Sequence, residues 1–225
     1  MADISDLKMT IVTNDPTKRY YYTLLFDDKY RVKIATRNIN IPGVQNFRDL
    51  GGYPSYSTKK QMRWGMIYRS AEIDSLECSS RRELKNLGIK TLIDLRASSE
   101  IGRQSPLQKG FNVVHIPLAT GDMEGILKGI REEKIKSDTV YRMVERMNRI
   151  LIDQYTKEYR QIFDILLDKN SYPVVIHCSS GKGRTGIVSA LVLAALGINE
   201  DIIMEDYRLS NDYFNIPSAS KYAYQ

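Results

Sequence analysis

The chain has 225 residues, 42% hydrophobic and 27% charged, which suits one domain of ordinary core size with a small appendage. The longest apolar run, 187–196, falls well short of the ~20 residues that span a bilayer. A formal charge of +6 suits anionic substrates and favours peripheral contact with anionic membranes, whereas no basic–aromatic stripe marks a nucleic-acid groove.

Residues 8–36 read as an antiparallel β appendage. Tyr20, Tyr22, Leu24 and Phe26 alternate with their neighbours, Asp27-Asp28-Lys29 makes a turn, and Tyr30, Val32 and Ile34 alternate back. Extra edge strands of a main sheet would show the same pattern. We divide the chain into an appendage, 1–40, and a main domain, 41–225. Asn38 to Gly52 reads as a loop carrying Arg48 and Asp49, and Met62 to Tyr68 as a strand. Ser79 or Ser80 caps a helix that stops at Gly88. Thr91–Leu95 and Phe111–Ile116 read as buried strands. Residues 121–136, with three glycines, read as a loop or flap. From Asp138, apolar residues at helical spacing predict one long helix or two joined, ending near Asn170 before Pro173. A last helix runs from Asn199 to about Ser210. Helices alternating with apolar strands predict an α/β fold with a central, mostly parallel sheet.

The stretch His177-Cys178-Ser179-Ser180-Gly181-Lys182-Gly183-Arg184-Thr185-Gly186 lies between the apolar runs 174–176 and 187–196. It reads as buried strand, tight loop and buried helix. Ser179, Ser180, Gly181 and Gly183 let the backbone curl with its N–H groups inward, a nest for an anion at a helix N-terminus. The same field favours the thiolate of Cys178. Arg184 can grip two phosphate oxygens in a fork, and Lys182 adds a cation at the rim. Thr185 and Ser179 supply hydroxyls for the sulfur, and His177 orders the loop. A nucleotide-binding reading of Gly-Lys-Gly fails, because the upstream Gly is missing and Gly183 stands where Ser or Thr is needed. Cys78 and Cys178 make no disulfide framework, and two histidines make no metal site, so no cofactor and no metal is expected.

On this loop the chain resembles the cysteine-dependent phosphatases, whose signature is His-Cys-x5-Arg-(Ser/Thr), and within them the bacterial tyrosine phosphatase family. Asn46–Tyr53, Tyr68-Arg69-Ser70, Leu87-Gly88-Ile89, Ile93–Arg96, Asp206-Tyr207 and Ser210-Asn211-Asp212 also match that family's pattern. The resemblance implies the cysteine-phosphatase fold and metal-free hydrolysis of phosphotyrosine through a phosphocysteine. Some members also accept phosphoserine, phosphothreonine or phosphoinositides, so a phosphorylated protein or a phosphoinositide is the expected substrate. Ser179 to Gly183 are the expected phosphate contacts. Arg48, with Asp49, either braces the loop or rims the pocket.

Several members carry an Asp, a candidate general acid, where this chain has Gly183. Asp122, after the strand 113–116, is the first candidate for the missing acid, and Asp94 the second, unless Asp94 is spent in a buried ion pair with Arg48 or Arg96. Asn211 or Asp212 is a candidate for orienting the hydrolytic water. A rhodanese-type sulfurtransferase and a non-catalytic phosphopeptide-binding module are the competing readings; the loop spacing argues against the first and the intact Cys178–Arg184 pair against the second. The first 20 residues lack a signal peptide's basic start and apolar core, which points to the cytoplasm, with export left open if the natural N-terminus differs.

Overall fold

The computed structural model describes residues 11–12, 18–73, 78–101, 110–119, 129, 132 and 137–215. Contacts divide the chain into two units, Met1–Thr36 and Arg37–Gln225. In the first, β1 (Tyr21–Phe26) pairs antiparallel with β2 (Tyr30–Ala35) in a two-stranded ribbon. Asp27 and Asp28 make the turn at positive φ. The alternation of apolar residues foretold this hairpin, and β1 and β2 form a sheet of their own rather than edges of the main one.

The second unit is built on a five-stranded sheet in the order β3-β6-β9-β7-β8. These strands are β3 (Arg48–Asp49), β6 (Ile67–Ser70), β7 (Thr91–Asp94), β8 (Asn112–His115) and β9 (Val174–His177). All pairings are parallel except β3 with β6. A small ribbon joins β4 (Pro54–Ser55) to β5 (Lys60–Gln61). Two departures from the sequence reading are local. The segment read as a loop, 38–52, contributes edge strand β3, and the strand read at 62–68 is shifted to 67–70, where it pairs with β9.

Every residue of β6, β7 and β9 is buried, because helices cover both faces of a parallel sheet. Side chains alternate between the faces. Ile67, Ile93, Val174 and Ile176 join one core, which also holds Leu151, Ile162, Val188, Val192 and Leu193 from helices α2 (Ser137–Gln154), α3 (Thr156–Leu167) and α4 (Gly183–Ala195). Tyr68, Leu92 and Val175 join the other with Phe47, Phe111 and Leu84 of α1 (Cys78–Asn86). Ser80 lies inside α1, and its hydroxyl donates to Pro42 O rather than capping the helix. The long helical pattern is two helices broken at Tyr155, whose hydroxyl donates to Ala119 O at 2.9 Å. Asn199 caps α5 (Glu200–Arg208) by accepting from Asp201 N, and α6 (Ser210–Tyr213) follows.

Candidate active site

The loop 178–183 leaves the C-terminal end of the central strand β9 and runs into the N-terminus of α4, where the backbone N–H groups of a helix favour an anion. His177, the last residue of β9, is 1% exposed and lies in register with Asp94 of β7 and Ser70 of β6. Its Nδ1 is 3.9 Å from Asp94 Oδ1. Cys178 is 1% exposed at the floor of the loop. Gly181 has φ +67°, and a Cβ there would lie 2.4 Å from the carbonyl carbon and oxygen of Ser70, so the loop closes onto β6 only because this residue is glycine.

Two side chains bind the loop's carbonyls. Asn46 Nδ2 donates to Ser180 O and Gly181 O, both at 3.1 Å. Arg69 Nη2 donates to Gly181 O at 2.8 Å. Asn46 holds a positive φ of 57°, which Asn tolerates. Both side chains are anchored on Asp206 of α5. Arg69 Nη1 reaches Asp206 Oδ2 at 2.6 Å, and Arg48 Nε reaches Asp206 Oδ1 at 3.3 Å while its Nη1 donates to Asn46 Oδ1. Tyr53 OH also donates to Asp206 Oδ1, at 3.0 Å, and Ser210 Oγ accepts from Arg48 Nη2 at 3.1 Å. Burial raises the Asp206 pKa, but Arg69 and Arg48 outweigh it and hold the carboxyl below its ordinary value.

Arg48, expected either at the pocket rim or as a brace, is 0% exposed, and its guanidinium bonds to Asp206, Asn46 and Ser210. Asp49 accepts from Gly51 N and Gly65 N, both at 2.7 Å, and so shapes the neighbouring turn. Asp94 is held by Arg96 through Nε at 3.0 Å and Nη2 at 2.6 Å. Burial raises its pKa, but the Arg96 hydrogen bonds outweigh that and keep it lowered, which suits a fixed anion better than a proton donor. Asp122 lies outside the described residues. Lys182 Nζ donates to Asn211 Oδ1 at 2.7 Å, so Asn211 orients the rim lysine. Asp212 is exposed on the adjoining α6. Thr185 is fully buried, and its hydroxyl has no hydrogen-bond partner among the described residues. Gly183 is half-buried at the start of α4, and a Cβ there would meet nothing within 4 Å.

Sequence reasoning missed Glu100. It ends a single 3-10 turn, Ser98–Glu100, and accepts from Ala97 N at 2.8 Å. Its carboxylate spans Arg184: Oε1 accepts from Nη2 at 2.7 Å, and Oε2 pairs with Nη1. Ser179 Oγ donates to the same Oε1 at 2.6 Å and accepts from Arg184 Nη2 at 3.1 Å. The only sequence signal was half of a capping box, an acidic residue three places after Ala97. Burial alone would raise the Glu100 pKa, but the hydrogen bonds from Arg184 and Ser179 bring it from 4.5 down to about 2. A carboxyl whose pKa falls on folding stabilises the fold above its unfolded pKa and loses that contribution as pH drops through the folded value. Unfolding midpoints should therefore fall between about pH 4.5 and 2, and Glu100→Gln should flatten part of that fall. The difference will be shallow because the carboxylate is a third exposed and screened. Identical wild-type and Glu100→Gln profiles would show that the pair adds nothing to the folded state.

Residues 39–224 match the tyrosine phosphatase family. The chain belongs to that family. It is a cysteine-dependent protein-tyrosine phosphatase, and the loop 178–183 lies within the match. It is 32% identical over 194 residues to the triple specificity protein phosphatase PtpB of Mycobacterium tuberculosis, covering 76% of this chain and 68% of that protein. It is 25% identical over 148 residues to a tyrosine-protein phosphatase of Nostoc commune, covering 64% of this chain and 48% of that one. Thus it spans between about half and two thirds of these relatives' lengths. A crystal structure of P. aeruginosa TpbA with phosphotyrosine aligns at TM-score 0.36 and 16% identity over 66% of this chain and 70% of that one. Among the described residues no helix is long and apolar enough to cross a membrane.

Proposed function

We propose that this phosphatase hydrolyses phosphotyrosine in proteins, with Cys178 as nucleophile and Arg184 as the clamp on the phosphoryl oxygens. The observation that carries this is the braced loop: a buried cysteine at its floor, carbonyls tied back by Asn46 and Arg69, and a charged fork at its end. Phosphotyrosine is the phosphorylated side chain with the longest reach, which suits a nucleophile this deep.

The Cys178 thiolate attacks phosphorus, the ester P–O bond breaks, and the leaving phenolate takes a proton from a general acid. Backbone N–H groups of Ser179 to Gly183 and the Arg184 guanidinium stabilise the equatorial oxygens. Water then attacks the phosphocysteine and passes a proton to the group that protonated the phenolate, the S–P bond breaks, and Thr185 donates to the departing sulfur. Glu100 and Ser179 restrict the rotamers of Arg184, so the fork is set before substrate arrives. Lys182, steadied by Asn211, adds positive potential at the rim.

Asp122 is the proposed acid, since Gly183 carries no carboxyl and Asp94 is committed to Arg96. Asp122→Asn should lower turnover by roughly 10²–10⁴ for poor leaving groups and far less for an activated aryl phosphate. Equal losses on both substrates would assign Asp122 a structural role.

The experiment that tests the function is a panel of phosphotyrosyl, phosphoseryl and phosphothreonyl peptides with short-chain phosphoinositides and thiosulfate–cyanide. The fastest turnover is expected on phosphotyrosyl peptides. Fast phosphoinositide hydrolysis without phosphotyrosine turnover would overturn the protein-substrate reading, and sulfur transfer alone would overturn the reaction class.

A further inference from the structure

In an antiparallel ribbon, paired residues share a face and successive pairs alternate. The register of β1 and β2 therefore sorts the hairpin into two unlike faces. Tyr22 with Ile34, Leu24 with Val32 and Phe26 with Tyr30 make a face of six apolar or aromatic side chains without a charge. Tyr21 with Ala35, Thr23 with Lys33 and Leu25 with Arg31 make the other. The apolar face is open, and the more so toward the turn: Tyr22 and Ile34 are half-buried, Leu24 and Val32 are 39% and 37% exposed, Phe26 and Tyr30 51% and 60%. A two-stranded ribbon is marginal in water by itself, and a continuous apolar patch on so small a unit calls for a cover.

Charge indicates which cover. Residues 18–36 hold five cations, Lys18, Arg19, Lys29, Arg31 and Lys33, against the two carboxylates Asp27 and Asp28, and so carry half of the chain's net +6. Arg19 and Lys33 lie 4.9 and 4.8 Å from the ring of Tyr21 on the opposite face, and Lys29 5.5 Å from the ring of Tyr30 at the turn end of the apolar face. An apolar face with tyrosines at its margin and cations beside and behind it matches the layering of an anionic lipid surface, acyl chains below and phosphate headgroups above. The cations of a ribbon lying flat would remain within the Debye length of about 8–10 Å. Asp27 and Asp28 disfavour insertion by the turn, which leaves the flat orientation.

We propose that the β1–β2 hairpin, within the appendage expected over residues 1–40, docks the enzyme peripherally on anionic phospholipid, apolar face down. This requires neither the reaction class nor the acid assigned above. The test is flotation of the full chain with phosphatidylcholine vesicles and with vesicles containing phosphatidylserine, at low and high salt. Binding is expected only to the anionic vesicles and should weaken with salt. Phe26→Ser with Tyr30→Ser should reduce the bound fraction by roughly tenfold or more, since burial of large side chains supplies the adhesion. Arg31→Glu with Lys33→Glu should abolish the preference for anionic lipid. Hydrolysis of a soluble aryl phosphate, unchanged in both variants, confirms that the main unit is folded. Failure of the wild type to float with anionic vesicles, or flotation undiminished in both variants, overturns the proposal. So does a concentration-dependent dimer in sedimentation that Phe26→Ser and Tyr30→Ser dissolve without affecting lipid binding, because a second copy would then be the cover.

Discussion

Cys178→Ser is expected to abolish turnover of an aryl phosphate while leaving inorganic phosphate bound. The serine hydroxyl is a poor nucleophile without a base to activate it, yet the backbone N–H groups of the loop and Arg184 still receive the anion. The loss should be on the order of 10⁴-fold or more, as for removal of other covalent nucleophiles. Arg184→Lys should lose most activity for a different reason. A lysine keeps the charge but cannot hold two oxygens in a plane, and it cannot span the Glu100 carboxylate as the guanidinium does. Stopped-flow measurement with an activated aryl phosphate, together with mass spectrometry of the acid-quenched wild type, distinguishes the two variants. Appreciable steady turnover by Cys178→Ser, or no phosphate adduct on Cys178 in the quenched wild type, would eliminate the covalent mechanism.

Asp206→Asn is expected to cost more stability than any surface change, although Asp206 touches no substrate. It is 1% exposed, and its carboxylate is the shared counter-ion of Arg48 and Arg69, which are equally buried. Burial and the nearby Arg69 already pull the Arg48 pKa down to about 10. With the carboxylate gone, two buried cations face each other uncompensated, and breaking a buried pair in this way costs about 3–5 kcal/mol. Chemical denaturation should show that loss as a lower midpoint. Pairing Asp206→Asn with Arg48→Met should recover part of it, because one of the stranded charges is then removed. The single variant should also lose turnover beyond its loss of folded protein, since Arg69 would no longer hold Gly181 O. A denaturation midpoint close to wild type would mean that the two arginines find other partners and that Asp206 is not the anchor of the loop.

The parts legible in the chain were those whose chemistry lies close together in sequence. Cys178 to Arg184 span one turn of backbone, and their spacing by itself fits a phosphate cradle. The hairpin was legible for the same reason, because alternation over Tyr20–Phe26 and Tyr30–Ile34 is a local pattern around a local turn. The apolar runs of β7 and β9 pointed to a buried parallel sheet because a strand covered on both faces has no polar side to show. The edge strand β3 was not legible: two residues carry no period, and pairing with β6 alone makes them a strand.

The partners of the flanking residues were settled only by the tertiary fold. Asn46, Arg48, Arg69 and Asp206 were visible as motif residues, but their purpose depends on partners 112 to 158 positions away for Arg69 and Arg48 and 135 for Asn46 and Gly181. Glu100 and Arg184, 84 positions apart, meet only because β7 and β9 are neighbours and the segments that follow them share one end of the sheet. Asp94 was readable as a second candidate acid or as the ion-pair partner of Arg48 or Arg96, and the fold brings Arg96 against it. A side chain's identity sets what it can do, whereas burial and the charges brought against it select which of those things it does. Sequence by itself therefore determined the family and the strand–loop–helix that carries the His-Cys-x5-Arg motif, and tertiary structure decided which side chains hold that loop.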